Sequence, residues 1–286
     1  MKIIFFGSSS PLSFIPLQAI IKSHHSISAV VVKNESSSDF SVISPNTINS
    51  LAFSNTIPVL EYDFKSDLFV KQLSKLKADL ILVSCFAYRI PNKILAIAKY
   101  GGINFHPSLL PSFRGPEPLF WQYRGGISNF GATLHRLTDD YDAGDIISQE
   151  TVRLEDGISS NDATQKLAIK ASDLILNSLQ DIANNSATEI KQNPDFISYQ
   201  SFPKDSDYSV STSWTAKRIY NFIKAYKSTS VTFSCDVYGR TLHLSSANSY
   251  QSAPYPGMNG ESVFYNKETV FFACKDSFIE CETKNS

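Results

Sequence analysis

The stretch "ADLILVSCFAYRIPNKILAIAKYGGINFH", Ala78 to His106, decides the fold. It runs from an unbroken apolar segment, through a helical pattern over Asn92 to Ala98, into a second apolar segment, "GGINFH". Apolar strands without polar alternation, joined by amphipathic helices, mark a parallel sheet covered on both faces. The same alternation comes before it, as "KIIFFG", a helical run over Leu12 to Ser23, "ISAVVV", and a helical run over Asp67 to Leu76. In such sheets ligands bind beyond the carboxyl ends of the strands, where the chain after His106 emerges.

The expected fold class is thus α/β, a Rossmann-like, doubly wound and mostly parallel sheet. "NFGATLHRL" and "DIISQETVRL" read as two further strands, followed by a helix from about Asn161 to Ile182. On that helix Leu167, Ala171, Leu174, Ile175, Leu179 and Ile182 share one face, so it packs back on the sheet. Residues 1–184 form the expected catalytic domain, and the polar, proline-containing stretch 185–204 reads as a linker. Residues 205–286 then hold one helix, Thr215 to Lys227, and β-type runs punctuated by Gly239, Pro256, Gly257 and Asn266. A smaller β-rich, OB-like barrel is the economical reading of this tail.

With 286 residues and 42% hydrophobic content, the chain has ample material for these cores. Gly7, three serines and two prolines interrupt the N-terminal apolar clusters, so neither a signal peptide nor a membrane span is expected. The four cysteines, Cys85, Cys235, Cys274 and Cys281, lack CxxC or metal-ligand spacing, which fits a reduced, cytoplasmic protein without a metal site. A net charge of −1 supplies no global field for nucleic acid.

Function is expected where polar residues interrupt an apolar strand. Side chains alternate along a strand, so Asn104 and His106 point one way while Ile103 and Phe105 point the other. An arbitrary Asn-x-His is more often a satisfied strand end. Here His106 is followed at once by "PSLLPSFRGPEP", a turn fixed by Pro107 and Pro111 that leads into a helix. A third partner stands in "DDYDAGD", where three aspartates fall within four residues. Asp139 and Asp140 read as a solvated turn. Asp142, framed by Tyr141 and Ala143-Gly144, is the candidate to face the same crevice.

Together these motifs resemble the formyltetrahydrofolate-dependent formyltransferases, which include methionyl-tRNA formyltransferase, the amino-sugar N-formyltransferases and glycinamide ribonucleotide transformylase. The family pattern is Asn-x-His, then Ser-Leu-Leu-Pro, then an Asp-x-Gly turn. This chain carries Asn104, His106, Ser108 to Pro111, and Asp142 with Gly144. The resemblance implies transfer of a formyl group from 10-formyltetrahydrofolate to a primary amine, without a metal. It implies that Asn104 and His106 Nε2 donate to the oxyanion of a tetrahedral intermediate, usually the largest catalytic contribution. It also implies that Asp142 accepts the amine's proton and orients His106. For the folate it points to Phe86, Ala87, Tyr88 and Ile90, the loop residues Ser108, Leu109, Leu110 and Pro111, and Tyr141 and Gly144. His24, His25, His135 and His243 show no ligand spacing and read as ordinary surface or core residues.

The acceptor is judged by charge. A glycine-rich phosphate cradle is missing from "GSSSPLSF", which counts against the glycinamide ribonucleotide branch, although Ser8 and Ser9 remain candidates for an acceptor pocket. A tRNA enzyme would need basic surfaces. The loop "KNESSSDFSVISPN" has one Lys against Glu35 and Asp39, and residues 205–286 carry eight basic and eight acidic side chains. A nucleotide-linked amino sugar is the expected acceptor, with Arg114 for a diphosphate and Trp121 for stacking, and methionyl-tRNA is the alternative. Core packing is the competing reading of Trp121. An inactive folate-binding module is the alternative of another class, and loss of Asn104, His106 or Asp142 would mark it. The strand edges of "VTFSCDVYG" and "VFFACKDSF" are the candidate surface for a homodimer, although apolar strands in a small barrel more often form its core.

Overall fold

The computed structural model describes residues 1–33, 47–251, 263–266 and 268–284, and divides them between two compact units. The first comprises Met1–Pro118, Phe130–Val152 and Thr164–Gln200; the second comprises Leu119–Asn129, Arg153–Ala163 and Ser201–Ser286. The loop weighed for tRNA binding falls, beyond Lys33, outside the described residues, as do Pro256 and Gly257.

The first unit is built on seven strands: β1 (Lys2–Gly7), β2 (Ser26–Val32), β3 (Val59–Glu61), β4 (Leu80–Ser84), β5 (Gly102–His106), β6 (Asn129–Arg136) and β7 (Ile146–Arg153). They pair in the order β3-β2-β1-β4-β5-β6-β7. The pairs β1/β2, β2/β3, β1/β4 and β4/β5 are parallel, and β5/β6 is antiparallel. The doubly wound expectation holds. The order in which successive strands are added across the sheet reverses between β1 and β4, parallel neighbours whose carboxyl ends meet in the register pair Gly7↔Ser84.

Helices α1 (Pro11–Ile21), α2 (Ile48–Ser54), α3 (Asp67–Lys75), α4 (Asn92–Leu95) and α6 (Ser160–Ala183) accompany these strands. Local chemistry sets their starts. Ser10 accepts from Leu12 N with Pro11 in the first turn of α1, and Ser66 accepts from Phe69 N at the head of α3. Two short elements escaped the sequence analysis. Helix α2 is signalled by its Thr47/Ser50 capping box, whereas β3 has three residues, too few to show a period. The predicted face of α6 is confirmed, with Leu167, Ala171, Ile175 and Leu179 fully buried. No helix among the described residues is long and apolar enough to cross a membrane.

The second unit holds α5 (Pro118–Gly125), α7 (Ala216–Tyr226) and six strands, β8 (Ser209–Ser211), β9 (Phe233–Val237), β10 (Arg240–Tyr250), β11 (Val263–Asn266), β12 (Thr269–Ala273) and β13 (Phe278–Thr283). Among the described residues they form one smaller sheet, ordered β11-β12-β13-β10-β9-β8, antiparallel except for β8/β9. Its core is aromatic. Phe120 meets Phe222 at 5.3 Å and Tyr226 at 5.1 Å between ring centroids, edge-on in both cases.

The stretch 185–204 differs from its reading as a linker, because residues through Gln200 belong to the first unit. Ile190 bridges Ile146, Arg114 N donates to Ser198 O at 2.9 Å, and Gln200 N donates to Arg114 O at 2.9 Å. Polar, proline-containing composition excludes a helix or central strand, but it leaves the backbone free to pair with a neighbouring loop.

That loop, residues 107–115, is held from β6 and β7 as well. Thr133 Oγ1 donates to Ser108 O at 2.6 Å, and Gln149 Nε2 donates to Leu110 O at 2.9 Å. Its closeness depends on Gly131, where a Cβ would stand 1.9 Å from Leu109 N and 2.1 Å from Ser108 C. Gly131→Ala must push the loop away, and it is expected to cost about 1–3 kcal/mol of stability, the usual price of overpacking. Urea denaturation of the two proteins measures it.

Candidate active site

Antiparallel pairing of β5 with β6 assembles the site. Asn104 lies opposite His135 and His106 opposite Thr133, and residues directly opposite share a face of the sheet. The other face carries Ile103, Phe105 and Leu134, all buried. One face of two strand ends thus gathers four polar side chains, while the other anchors those ends in the core.

Asp142 reaches them from the turn between β6 and β7. The turn is closed by Arg136 N donating to Asp145 O at 2.9 Å, and Gly144 leaves room for this, since a Cβ there would lie 2.0 Å from Arg136 O. Asp142 Oδ1 stands 3.6 Å from His106 Nδ1, 3.6 Å from His135 Nε2 and 3.4 Å from Asn104 Nδ2. Its Oδ2 accepts from Gly115 N at 2.8 Å. The structure therefore brings Asn104, His106 and Asp142 together, as the motif spacing suggested.

Two details depart from the expectation. His106 Nε2 donates to Phe113 O at 2.8 Å, so the nitrogen facing Asp142 is Nδ1 and not the Nε2 assigned to the oxyanion. His135, read as an ordinary histidine, is 1% exposed, accepts from Asn104 Nδ2 at 3.0 Å and donates from Nδ1 to Arg136 O at 2.8 Å. The signal for it was present in "TLHRL": Thr133 and His135 have the parity of Asn104 and His106. Only the antiparallel register reveals that the two pairs face each other.

The electrostatics separate the ionised group from the neutral one. Burial pushes the Asp142 carboxyl up, but His106, His135 and the Gly115 N–H outweigh it and hold the carboxyl well below the usual carboxylate range. Burial lowers the His106 imidazole against the opposing pull of Asp142. At rest the site is an ionised carboxylate beside a neutral imidazole. Its Nε2–H tautomer is fixed by the Phe113 carbonyl, which leaves a lone pair on Nδ1.

The remaining predicted residues divide. Ser108 is fully buried with its hydroxyl donating to Ser112 O at 2.7 Å, and Leu110 is buried too, so both form the frame of the loop, while Leu109 and Pro111 are half-buried. Ile90 is buried in the core and Phe86 packs half-buried against that cluster, while Ala87, Tyr88 and Tyr141 are exposed and Gly144 is buried. Arg89 pairs with Asp139 at 2.7 Å, tying the loop after β4 to the turn that carries Tyr141. Ser8 and Ser9 follow β1 at the carboxyl edge of the sheet, where Ser8 N donates to Ser13 Oγ at 3.0 Å. Arg114 donates through Nε and Nη2 to Gln192 Oε1, at 3.1 and 2.7 Å. Trp121 belongs to the second unit, where its indole N–H donates to Ser201 O at 2.9 Å and its ring packs edge-on against Phe120, in keeping with the packing role.

Residues 1–179 match the family model described as "Formyl transferase", and the chain belongs to that family. It is an enzyme of the formyltransferase class. It is 28% identical over 236 residues to a methionyl-tRNA formyltransferase of Fusobacterium nucleatum, covering 82% of this chain and 76% of that one. It is 29% identical over 284 residues to the bifunctional polymyxin resistance protein ArnA of Wigglesworthia glossinidia brevipalpis, covering 98% of this chain and 42% of that protein. Its fold is shared with the N-formyltransferase of Helicobacter canadensis, solved with folinic acid and dTDP-3-aminofucose, at a TM-score of 0.75 and 20% identity over the whole of both chains.

The His106 shift has a stability consequence of definite sign. Its folded pKa lies below the ordinary 6.5, so below about pH 6.5 the unfolded chain takes up a proton that the folded chain declines, and stability falls with pH. Asp142 acts in a different window: its folded pKa is depressed, so its contribution is complete above about pH 4 and is lost only in stronger acid. Between pH 7.5 and 5.5 the wild type is expected to lose more unfolding free energy than His106→Gln. Equal losses in urea titrations would contradict a buried, neutral His106.

Proposed function

We propose that the protein transfers the formyl group of 10-formyltetrahydrofolate to the primary amine of a nucleotide-linked amino sugar. The observation that carries the chemistry is the convergence of Asn104, His106 and His135 on one carboxylate oxygen of Asp142. The folate supplies an activated formyl carbon. Every other part of the reaction falls to groups of this chain.

The loop after β4 suits a flat heterocycle with a hydrogen-bonding edge. Among the described residues the backbone N–H groups of Ala87, Tyr88 and Arg89 make no hydrogen bond, and apolar Phe86 and Ile90 lie beside them. Asn104 holds His135 firmly at 3.0 Å, but its 3.4 Å contact to Asp142 is long, so that N–H is the one it gives to a formyl oxygen gaining charge. His106 Nδ1 has the lone pair to take the proton released as the amine attacks, and Asp142 at 3.6 Å stabilises the resulting imidazolium. The imidazolium returns that proton to the folate nitrogen as its bond to the formyl carbon breaks and tetrahydrofolate leaves. His106 Nε2 stays on the Phe113 carbonyl throughout, which fixes the ring.

For the acceptor, the end-to-end likeness to a sugar N-formyltransferase fold and the balanced charge of residues 205–286 favour a sugar nucleotide. Methionyl-tRNA is the second reading, favoured by the 28% identity to a tRNA enzyme. An inactive module is disfavoured by the complete set of polar groups.

Asn104→Ala, His106→Ala and Asp142→Ala are each expected to slow formyl transfer at least about a hundredfold while keeping the wild-type circular dichroism spectrum. The assay is tetrahydrofolate release from 10-formyltetrahydrofolate with dTDP-3-aminofucose and related amino sugars, with charged initiator methionyl-tRNA, and with no acceptor. Release only with tRNA would replace the sugar reading, and near-wild-type rates in all three variants would sink the site assignment.

A further inference from the structure

Gln192 lies in the stretch expected as a linker and belongs to no motif, yet every polar atom of its side chain is engaged beside Asp142. Its Nε2 donates to Asp142 O at 2.8 Å and to Gly144 O at 2.7 Å. Its Oε1 accepts both contacts from Arg114. One amide thus bridges two separate segments: the turn that carries the carboxylate, and the loop whose Gly115 N–H donates to that carboxylate at 2.8 Å.

Asp142 needs such a brace. Its φ is +53°, a left-handed conformation that non-glycine residues adopt rarely and keep only when the surroundings enforce it. Relaxation of this residue toward ordinary backbone geometry would swing the carboxylate away from His106 Nδ1. The strap itself is anchored independently, by Ile190 on Ile146 and by Ser198 Oγ accepting from Phe113 N at 2.8 Å, so Gln192 is presented from a fixed backbone.

We propose that Gln192 is a positioning residue for Asp142, its two N–H donors holding the 142–144 turn in the conformation that aims the carboxylate at His106. This rests on the reading of Asp142 as a catalytic group. Glutamate cannot substitute, since it would keep an acceptor for Arg114 but present a carboxylate to two carbonyl oxygens. Methionine matches the length and supplies no donor.

Two measurements on the full chain test it. The first is ligand-free: 15N NMR of histidine-labelled protein follows the His106 imidazole, assigned with His106→Gln. In Gln192→Met its midpoint is expected to move down toward that of Asp142→Asn, because the carboxylate no longer stands by Nδ1; a role confined to stability would leave it unmoved. The second is a kinetic cycle, using 10-formyltetrahydrofolate with dTDP-3-aminofucose as the acceptor probe. Gln192→Met and Gln192→Glu should each lower kcat roughly 10- to 100-fold with KM for the donor changed less than about threefold. In the Asp142→Asn background the same changes should cost nothing further, because both act through one group. An unmoved His106 titration, wild-type rates in Gln192→Glu, or fully additive losses would overturn the proposal. If Gln192→Met does not fold, Gln192→Glu carries the cycle. Wild-type behaviour of Asp142→Asn itself would instead locate the failure in the reading of Asp142.

Discussion

A buried carboxylate that must stay ionised is the constraint on which this site depends. Asp142 is largely removed from water, and an uncompensated charge there would be costly or would take up a proton. The chain compensates with the Asn104 amide on β5 and the Gly115 N–H from the loop between β5 and α5, while His106 on β5 and His135 on β6 stand 3.6 Å from the same carboxylate, where a proton on either ring adds to its stabilisation. None of these is strong alone. Their convergence keeps an ionised carboxylate beside a neutral imidazole, two titratable groups held by their environments in different charge states.

That convergence explains features that otherwise look unrelated. Reversal of β6 against β5 puts two polar pairs opposite each other, which a parallel strand in the same place would have offset. Gly131 lets the 107–115 loop lie on β6, and Gly144 lets the Asp142 turn close on Arg136. The segment 190–200 then crosses both, pairing with Arg114 by backbone and with Asp142 and Gly144 through Gln192. A stretch with the composition of a linker is thereby part of the frame of the site.

Much of this was legible in the chain itself. The strands β1, β2, β4 and β5 are continuous apolar runs, the α6 face repeats at helical spacing, and the Asn-x-His, proline turn and Asp-x-Gly sequence stand in order. Other features were not. β3 is too short to show a period, α5 reads as the helix after a catalytic loop but packs its Phe120 against α7, and Gln192 is a lone polar residue among polar residues. His135 shows the same limit, because its parity is visible but its register is not.

What the sequence determined alone is what depends on neighbours along the chain: strand and helix identity, the proline turn after His106, and the side-chain parity that puts Asn104 and His106 on one face. What only the tertiary structure decided is what depends on strand register and on approach between distant segments. That includes which nitrogen of His106 faces Asp142, that His135 joins the site, and that Gln192 braces it. The physical reason is range. Local propensities act over a few residues, while a hydrogen bond over fifty residues of chain, such as Gln192 to Asp142, exists only once the sheet has set both ends in place.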